Sequence, residues 1–325
     1  MAAAEAYNIT HRYGKVTALD DVSFTVGDGE LFGFIGPDGA GKTTLFRIAA
    51  TLIIPAGGRM TLLGLNTVSR YRELRNHIGY MPGRFSLYQD LTVEENLNFF
   101  ATIFGTTLKA NYSLIEPIYR QIEPYKKRLA GKLSGGMKQK LALSCALIHR
   151  PGILILDEPT TGVDAVSRTE FWEMLARLKS EGITIIVSTP YMDEALRCDR
   201  IALIQSGSIL GIDTPDNVRR SYSQKLFAVT HPDKYKLLLA LRSLPAPSTS
   251  LPSRPAGLPL RHPEDRQHAI SSEPFGDSVH ITLPEGTPPE DLLVALAASG
   301  LPGASITEIV PGIEDVFLEL MQNKQ

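Results

Sequence analysis

The stretch with the clearest chemical purpose is Gly36-Pro37-Asp38-Gly39-Ala40-Gly41-Lys42-Thr43-Thr44. It fits G-x-x-x-x-G-K-[ST], in which small residues let successive backbone N–H groups curl around phosphate oxygens. In that pattern Lys42 reaches the β and γ phosphates, and the hydroxyl of Thr43 is a magnesium ligand. A second set closes the apolar run Ile153-Leu154-Ile155-Leu156 with two carboxylates, Asp157 and Glu158. Asp157 suits Mg²⁺, which takes a few hard oxygens together with substrate phosphates. Glu158 is suited to orient or deprotonate an attacking water.

Two further groups gain meaning from these. Leu133-Ser134-Gly135-Gly136-Met137 precedes a helical pattern, so its glycines offer free N–H groups at a helix start, where an anion is favoured. Alone, Ser-Gly-Gly is also a common turn. Tyr13 sits in a predicted hairpin shortly before the phosphate loop. Its ring suits either ordinary packing or stacking on a flat base.

The elements that must position these groups follow from pattern. Leu31, Phe32, Phe34 and Ile35 predict a strand before the loop, and Leu45, Phe46, Ile48 and Ala49 one face of a helix after it. That helix start favours an anion. Ile153 to Asp157 predicts a parallel strand buried on both faces, with its carboxylates at the carboxyl end, where ligands of open α/β sheets collect. Antiparallel strands are expected from Tyr7 to Leu31, and further strands around Gly57 to Gly64, at Ile78 to Met81 and at Ile183 to Ser188. A hairpin is expected around Ser206-Gly207-Ser208. Thr92 and Glu95 form a capping box for a helix carrying Leu97, Phe100 and Phe104. A second helical stretch over Ser113 to Leu129 reads as interrupted at Pro117 and Pro124. A third reads as burying Leu141, Ala142, Cys145 and Ile148 on one face and stopping at Pro151. Together these predict a mostly helical insert over about 84–150.

Beyond Asp213 the character changes. The chain divides into a nucleotide-binding domain over 1–220 and a small α/β appendage over 221–325, with a Pro- and Ser-rich linker at about 245–275. The appendage carries no catalytic constellation.

Bulk properties narrow the class. A chain of 325 residues, 43% hydrophobic, buries one large core and a smaller second one. A formal net charge of -2, with Lys and Arg dispersed, argues against nucleic acid as the main partner. The two cysteines, Cys145 and Cys198, each read as lying in a helix, and a reducing compartment is simpler than a disulfide framework. The N-terminus lacks the pattern of a secretory signal, and no stretch nears the roughly 20 apolar residues of a membrane span. Work at a membrane would then need another chain to supply the span.

Gly36 to Thr44, Leu133 to Met137, Ile153 to Glu158 and Thr161-Gly162-Val163-Asp164, in that order, resemble the nucleotide-binding subunit of ATP-binding cassette transporters over roughly Tyr7 to Asp213. The resemblance implies an α/β fold of the P-loop NTPase type: a mixed-sheet core, an antiparallel β subdomain and a helical subdomain. It implies ATP and Mg²⁺, and a homodimer or a heterodimer with a second cassette ATPase. ATP would lie between one subunit's phosphate loop and Ser134, Gly135 and Gly136 of the other, with Asp164 facing the partner and Tyr13 stacking on adenine. It also implies an integral membrane permease partner and a peripheral place on the cytoplasmic face of the plasma (inner) membrane. The run Ser188-Thr189-Pro190-Tyr191-Met192-Asp193-Glu194-Ala195 is similar to the first half of tandem ATPases in bacterial type-2 exporters.

Two positions depart from that family. Gly83 stands where it carries glutamine and Pro190 where it carries histidine; neither donates a side-chain hydrogen bond. No histidine occurs between His149 and His231, and nothing places Gln89 at the site. Two readings follow: an ATPase subunit powering export through a separate membrane protein, or a weakly hydrolysing ATP-binding subunit paired with an intact one. A soluble cassette ATPase of translation or DNA repair fits less well. One cassette, two cysteines and no sustained heptads argue against it.

Overall fold

The computed structural model describes residues 2–244, 272–283 and 287–322. Two compact units emerge, Met1–Val218 with Phe317–Gln325, and Arg219–Val316.

The first unit opens with a long hairpin, β1 (Ala2–Tyr13) and β2 (Val16–Gly27), followed by β3 (Leu31–Ile35) and α1 (Lys42–Ala49). Next come β4 (Gly57–Leu62), β5 (Leu65–Asn66), α2 (Tyr71–Leu74) and β6 (Ile78–Met81), then the helices α3 (Val93–Ile103), α4 (Tyr112–Tyr119) and α5 (Gly135–Leu147). The unit continues through β7 (Ile153–Asp157), α6 (Ala165–Ser180), β8 (Thr184–Thr189), β9 (Arg200–Gln205) and β10 (Ser208–Asp213) into α7 (Pro215–Arg220).

Two sheets result. One is antiparallel in the order β2-β1-β4-β5. The other runs β10-β9-β3-β8-β7-β6, with β9, β3, β8, β7 and β6 parallel and β10 antiparallel at the edge. Every residue of β3, β7 and β8 is buried, which is why these strands read as largely apolar runs, with an acid ending β7 and hydroxyls ending β8. A cluster of rings, Phe24, Phe32, Phe34 and Phe46, joins β2, β3 and α1, with centroids 4.9 to 6.1 Å apart. That spacing is favourable for aromatic packing and fixes the helix behind the phosphate loop against its strand.

The helical insert is built from α3, α4 and α5. Thr92 caps α3: its hydroxyl accepts from the Glu95 N–H at 3.2 Å, while Glu95 accepts from the Thr92 N–H at 2.8 Å. Three details differ from the sequence reading. Pro117 lies inside α4 without breaking it, because the missing N–H costs one intrahelical bond while Ile115, Ile118 and Tyr119 are buried on either side. α5 is buried nearly all round in its second half, from Leu143 to Ile148, rather than on one face. Cys198 lies outside any helix, at the end of the 3-10 turn Met192–Arg197; it and Cys145 are free and buried.

The second unit contains β11 (Leu226–Thr230), α8 (Lys234–Ser243), β12 (Ser272–Phe275), β13 (Ser278–Thr282), α9 (Pro289–Ala298) and β14 (Ser305–Ile309). Its sheet is antiparallel in the order β12-β13-β11-β14, a split β-α-β arrangement. Phe227, Val229, Val279 and Ile281 pack with Leu237, Leu241, Leu292 and Leu296 as its core. Residues 272–275, expected to belong to a linker, form strand β12; Pro274 is tolerated because β12 is an edge strand. The rest of the expected linker, residues 245–271, lies outside the described residues. The last described helix is α10 (Ile313–Gln322).

Candidate nucleotide site

The phosphate loop occupies Gly36 to Gly41, between the end of β3 and the start of α1. Gly41 adopts φ 103°, and a β-carbon there would lie 2.4 Å from the Ala18 carbonyl oxygen of β2. Only glycine meets both demands. The loop is braced elsewhere by Gly36 N–H on the Thr189 carbonyl (3.3 Å), Ala40 N–H on the Pro37 carbonyl (3.2 Å) and Gly207 N–H on the Ala40 carbonyl (3.0 Å). Gly207 belongs to the two-residue turn between β9 and β10, where Ser206 (φ 48°) and Gly207 (φ 80°) are both left-handed.

Lys42 is 3% exposed. Its ammonium donates to the carbonyls of Gly36 (2.7 Å) and Pro37 (2.9 Å) and stands 3.1 Å from Glu158 Oε1. Asp157 ends β7 and is buried; its Oδ1 accepts from the Ser188 hydroxyl at 2.8 Å, and the Thr43 hydroxyl lies near enough to favour its charged form. Burial raises its pKa above the usual carboxylate range, while the Ser188 and Thr43 hydroxyls pull against that. The carboxylates of Glu158 and Asp157 thus gather beside Lys42, as the positions of β3 and β7 in the sheet require. Tyr80 of β6 is raised to about 12, by burial first and then by the Asp157 charge.

Hard oxygens from Asp157 and Thr43 fit a magnesium ion, which completes its shell from water and phosphate. Among the described residues no group of three or more His, Cys, Asp or Glu side chains is arranged to hold a metal by itself.

Ser134 caps α5, its hydroxyl accepting from the Met137 N–H at 3.4 Å. Gly136 lies against the start of α6, where a β-carbon would meet Ser167 Oγ at 2.6 Å. Asp164 caps α6 through the Ser167 N–H at 3.0 Å, and that bond lowers its pKa. Ser134 to Gly136 and Asp164 therefore share one corner. Tyr13 lies at the end of β1, 47% exposed, edge-on to His11 with centroids 4.8 Å apart. It pairs with Val16, two residues along β2 from the Ala18 that touches Gly41.

At the two departures, Gly83 lies beside Asp157: a β-carbon there would be 3.1 Å from the Asp157 carbonyl oxygen and 3.8 Å from Oδ2. Pro190 follows β8 directly. The sequence reading missed the polar groups around it. Ser188 and Thr189 are fully buried, and Glu194, 3% exposed, accepts from the hydroxyls of Thr189 (2.5 Å) and Thr160 (3.1 Å). The available signal was two hydroxyls ending an otherwise apolar strand.

A family model described as ABC transporter matches residues 19–161. A Nod factor export ATP-binding protein I from Burkholderia lata is 38% identical over 218 residues, covering 66% of this chain and 72% of the relative. The chain belongs to the ABC transporter family. It is homologous to multidrug and Nod factor export ATP-binding proteins and contains the ABC ATP-binding domain. A probable multidrug ABC transporter ATP-binding protein, YbhF of Escherichia coli K12, is 36% identical over 306 residues, 94% of this chain and 49% of that relative. This ABC chain thus spans about half the length of that relative. The solved structure of an ATP-binding subunit of an ABC transporter superposes with TM-score 0.62 at 28% identity, covering 68% of this chain and 93% of that one. A solved dimeric bacterial ABC transporter cassette gives TM-score 0.59 at 25% identity, covering 65% and 98%. The mixed parallel sheet with its antiparallel companion and helical insert is the ABC form of the P-loop fold. Among the described residues no helix is long and apolar enough to cross a membrane.

Proposed function

We propose that this chain is the ATP-binding part of an export machine, coupling ATP binding and hydrolysis to movement of cargo through a separate integral membrane protein. The observation that carries this reading is the convergence of Lys42, Thr43, Asp157 and Glu158 at the carboxyl ends of β3 and β7. In it the loop amides and Lys42 hold the triphosphate, and Asp157 with Thr43 would hold magnesium. The bound ion would neutralise charge on the phosphate oxygens. Glu158, released from Lys42, would orient the attacking water and accept its proton.

Dimerisation fits the same chemistry. The α5 start at Ser134, Gly135 and Gly136 is a second anion-favouring N-terminus, so a nucleotide shared between two subunits links them and its cleavage releases them. The similarity to a dimeric cassette supports this. Tyr13, half-exposed near the loop, would stack on the adenine. A cavity of about 540 Å³ lined by Leu52, Ile78, Met81, Phe100, Ile103 and Phe104 offers an apolar seat between the sheet and the helical insert. We assign it to an apolar segment of the membrane protein, which would set the chain against the cytoplasmic face of that membrane.

Gly83 and Pro190 favour a second reading of the same site, in which this chain binds ATP and turns it over slowly. Ser134 to Gly136 would then complete the site of an intact partner cassette. Nucleotide titration of wild type and Lys42→Ala tests the common core of both readings. Removing a buried cation with three oxygen partners should weaken ATP at least about tenfold, since hydrogen bonds to charged groups contribute about 1.5–3 kcal/mol. Unchanged affinity would overturn the assignment.

A further inference from the structure

Ser188 lies on β8, one strand from the two carboxylates, and it touches both residues. It is 0% exposed and stands in register with Asp157. Its hydroxyl has one proton, which goes to Asp157 Oδ1 at 2.8 Å, and a lone pair that accepts from the Glu158 N–H at 3.0 Å. The same N–H also reaches the Ser188 carbonyl at 3.1 Å. Both bonds matter for Glu158, which holds φ 48°, a left-handed conformation that a non-glycine residue keeps only when its surroundings over-determine it.

The rest of β8 makes the hydroxyl informative. Ile185, Ile186 and Val187 precede it, all buried, so an apolar side chain would suit the strand as well. Asp157 accepts from the Ser188 hydroxyl and has the Thr43 hydroxyl near it. Thr43 is itself assigned to magnesium, which leaves Ser188 to hold the carboxylate from behind.

We infer that Ser188 is a positioning residue for magnesium-dependent nucleotide binding: it aims Asp157 at the ion and pins the backbone of Glu158. The inference rests on the assignment of Asp157 to magnesium. Partners behind metal ligands change metal affinity by about 10- to 100-fold when removed.

The test is equilibrium titration of the full chain with a fluorescent ATP analogue, in EDTA and across a magnesium series, for wild type, Ser188→Ala and Ser188→Thr. Ser188→Ala should need about tenfold more magnesium for the same tightening, with affinity in EDTA unchanged, and Ser188→Thr should recover most of the loss. A magnesium requirement unchanged in Ser188→Ala would overturn the inference. So would an equal loss with and without magnesium, the mark of a packing role. If Ser188→Ala fails to fold, Ser188→Cys keeps the volume with a weak donor, and the same outcomes decide. Lys42→Ala and Asp157→Asn separate the two levels. If Lys42→Ala binds like wild type, or Asp157→Asn keeps its magnesium dependence, the site assignment falls. If both respond and Ser188→Ala does not, only the role of Ser188 falls.

Discussion

Replacing Pro190 with histidine supplies the donor that the slow-turnover reading says is missing. The backbone there is held by its neighbours as well as by the proline ring. Tyr191 N–H donates to Thr189 Oγ1 at 3.0 Å, and the Thr189 hydroxyl donates to the buried Glu194 carboxylate at 2.5 Å. Arg168 stands 3.8 Å from the other Glu194 oxygen, with its guanidinium 4.9 Å from the centre of the Tyr191 ring. A histidine would therefore inherit a fixed frame. Losing the proline costs about 0.4–1 kcal/mol through the unfolded chain, a few degrees in Tm at most. A positioned donor to developing charge changes the rate by about 10²–10³, or about 2.7–4 kcal/mol of barrier. Phosphate release at saturating MgATP should rise by about two orders of magnitude in Pro190→His, with ATP affinity nearly constant. Adding Gly83→Gln should give a smaller further gain, because a β-carbon 3.1 Å from the Asp157 carbonyl forces a small backbone shift. A Pro190→His chain that binds ATP normally yet hydrolyses no faster would refute the reasoning, as would brisk turnover by the wild type.

Other consequences are simpler to measure. Gly41→Ala places a β-carbon 2.4 Å from the Ala18 carbonyl oxygen at φ 103°, and should lower stability by about 1–3 kcal/mol in thermal unfolding while weakening ATP. Thr92→Ala removes the α3 cap and should cost about 1 kcal/mol without touching nucleotide affinity. His149 has a pKa lowered by burial first and then by His77, against its bond to the Ile78 carbonyl, and it stacks on Phe104 at 3.8 Å. The unfolded chain binds the proton more readily, so this residue's share of stability is present above the ordinary histidine range and is lost as pH falls through it. His149→Phe should flatten the acid limb of a Tm-against-pH curve; an unchanged slope would refute the assignment. Burial raises the thiol pKa of Cys145 and Cys198, so a thiol reagent should label both only under denaturing conditions.

What the sequence revealed and what it hid divide along one physical line. The phosphate loop, the apolar strands β3 and β7, the Thr92 cap and the Ser206-Gly207 turn are local patterns, each legible within a few residues. Ser188 and Glu194 were not, because their meaning depends on which strand lies beside which. Only the parallel pairing of β3 with β8 and of β8 with β7 brings Ile35 opposite Thr189 and Asp157 opposite Ser188. The same holds for β12: residues 272–275 carry a proline and read as linker, and only their place at a sheet edge makes them a strand. Pro117 differs from its local pattern for a related cause, since the buried side chains around it outweigh its missing hydrogen bond. Parallel strands put all their carboxyl ends on one side of the sheet, so the loop after β3, the acids of β7 and the hydroxyls of β8 are forced together. A residue at the end of a parallel strand is thus read best against its two neighbouring strands, which is how a plain serine in a hydrophobic run becomes a partner of both carboxylates.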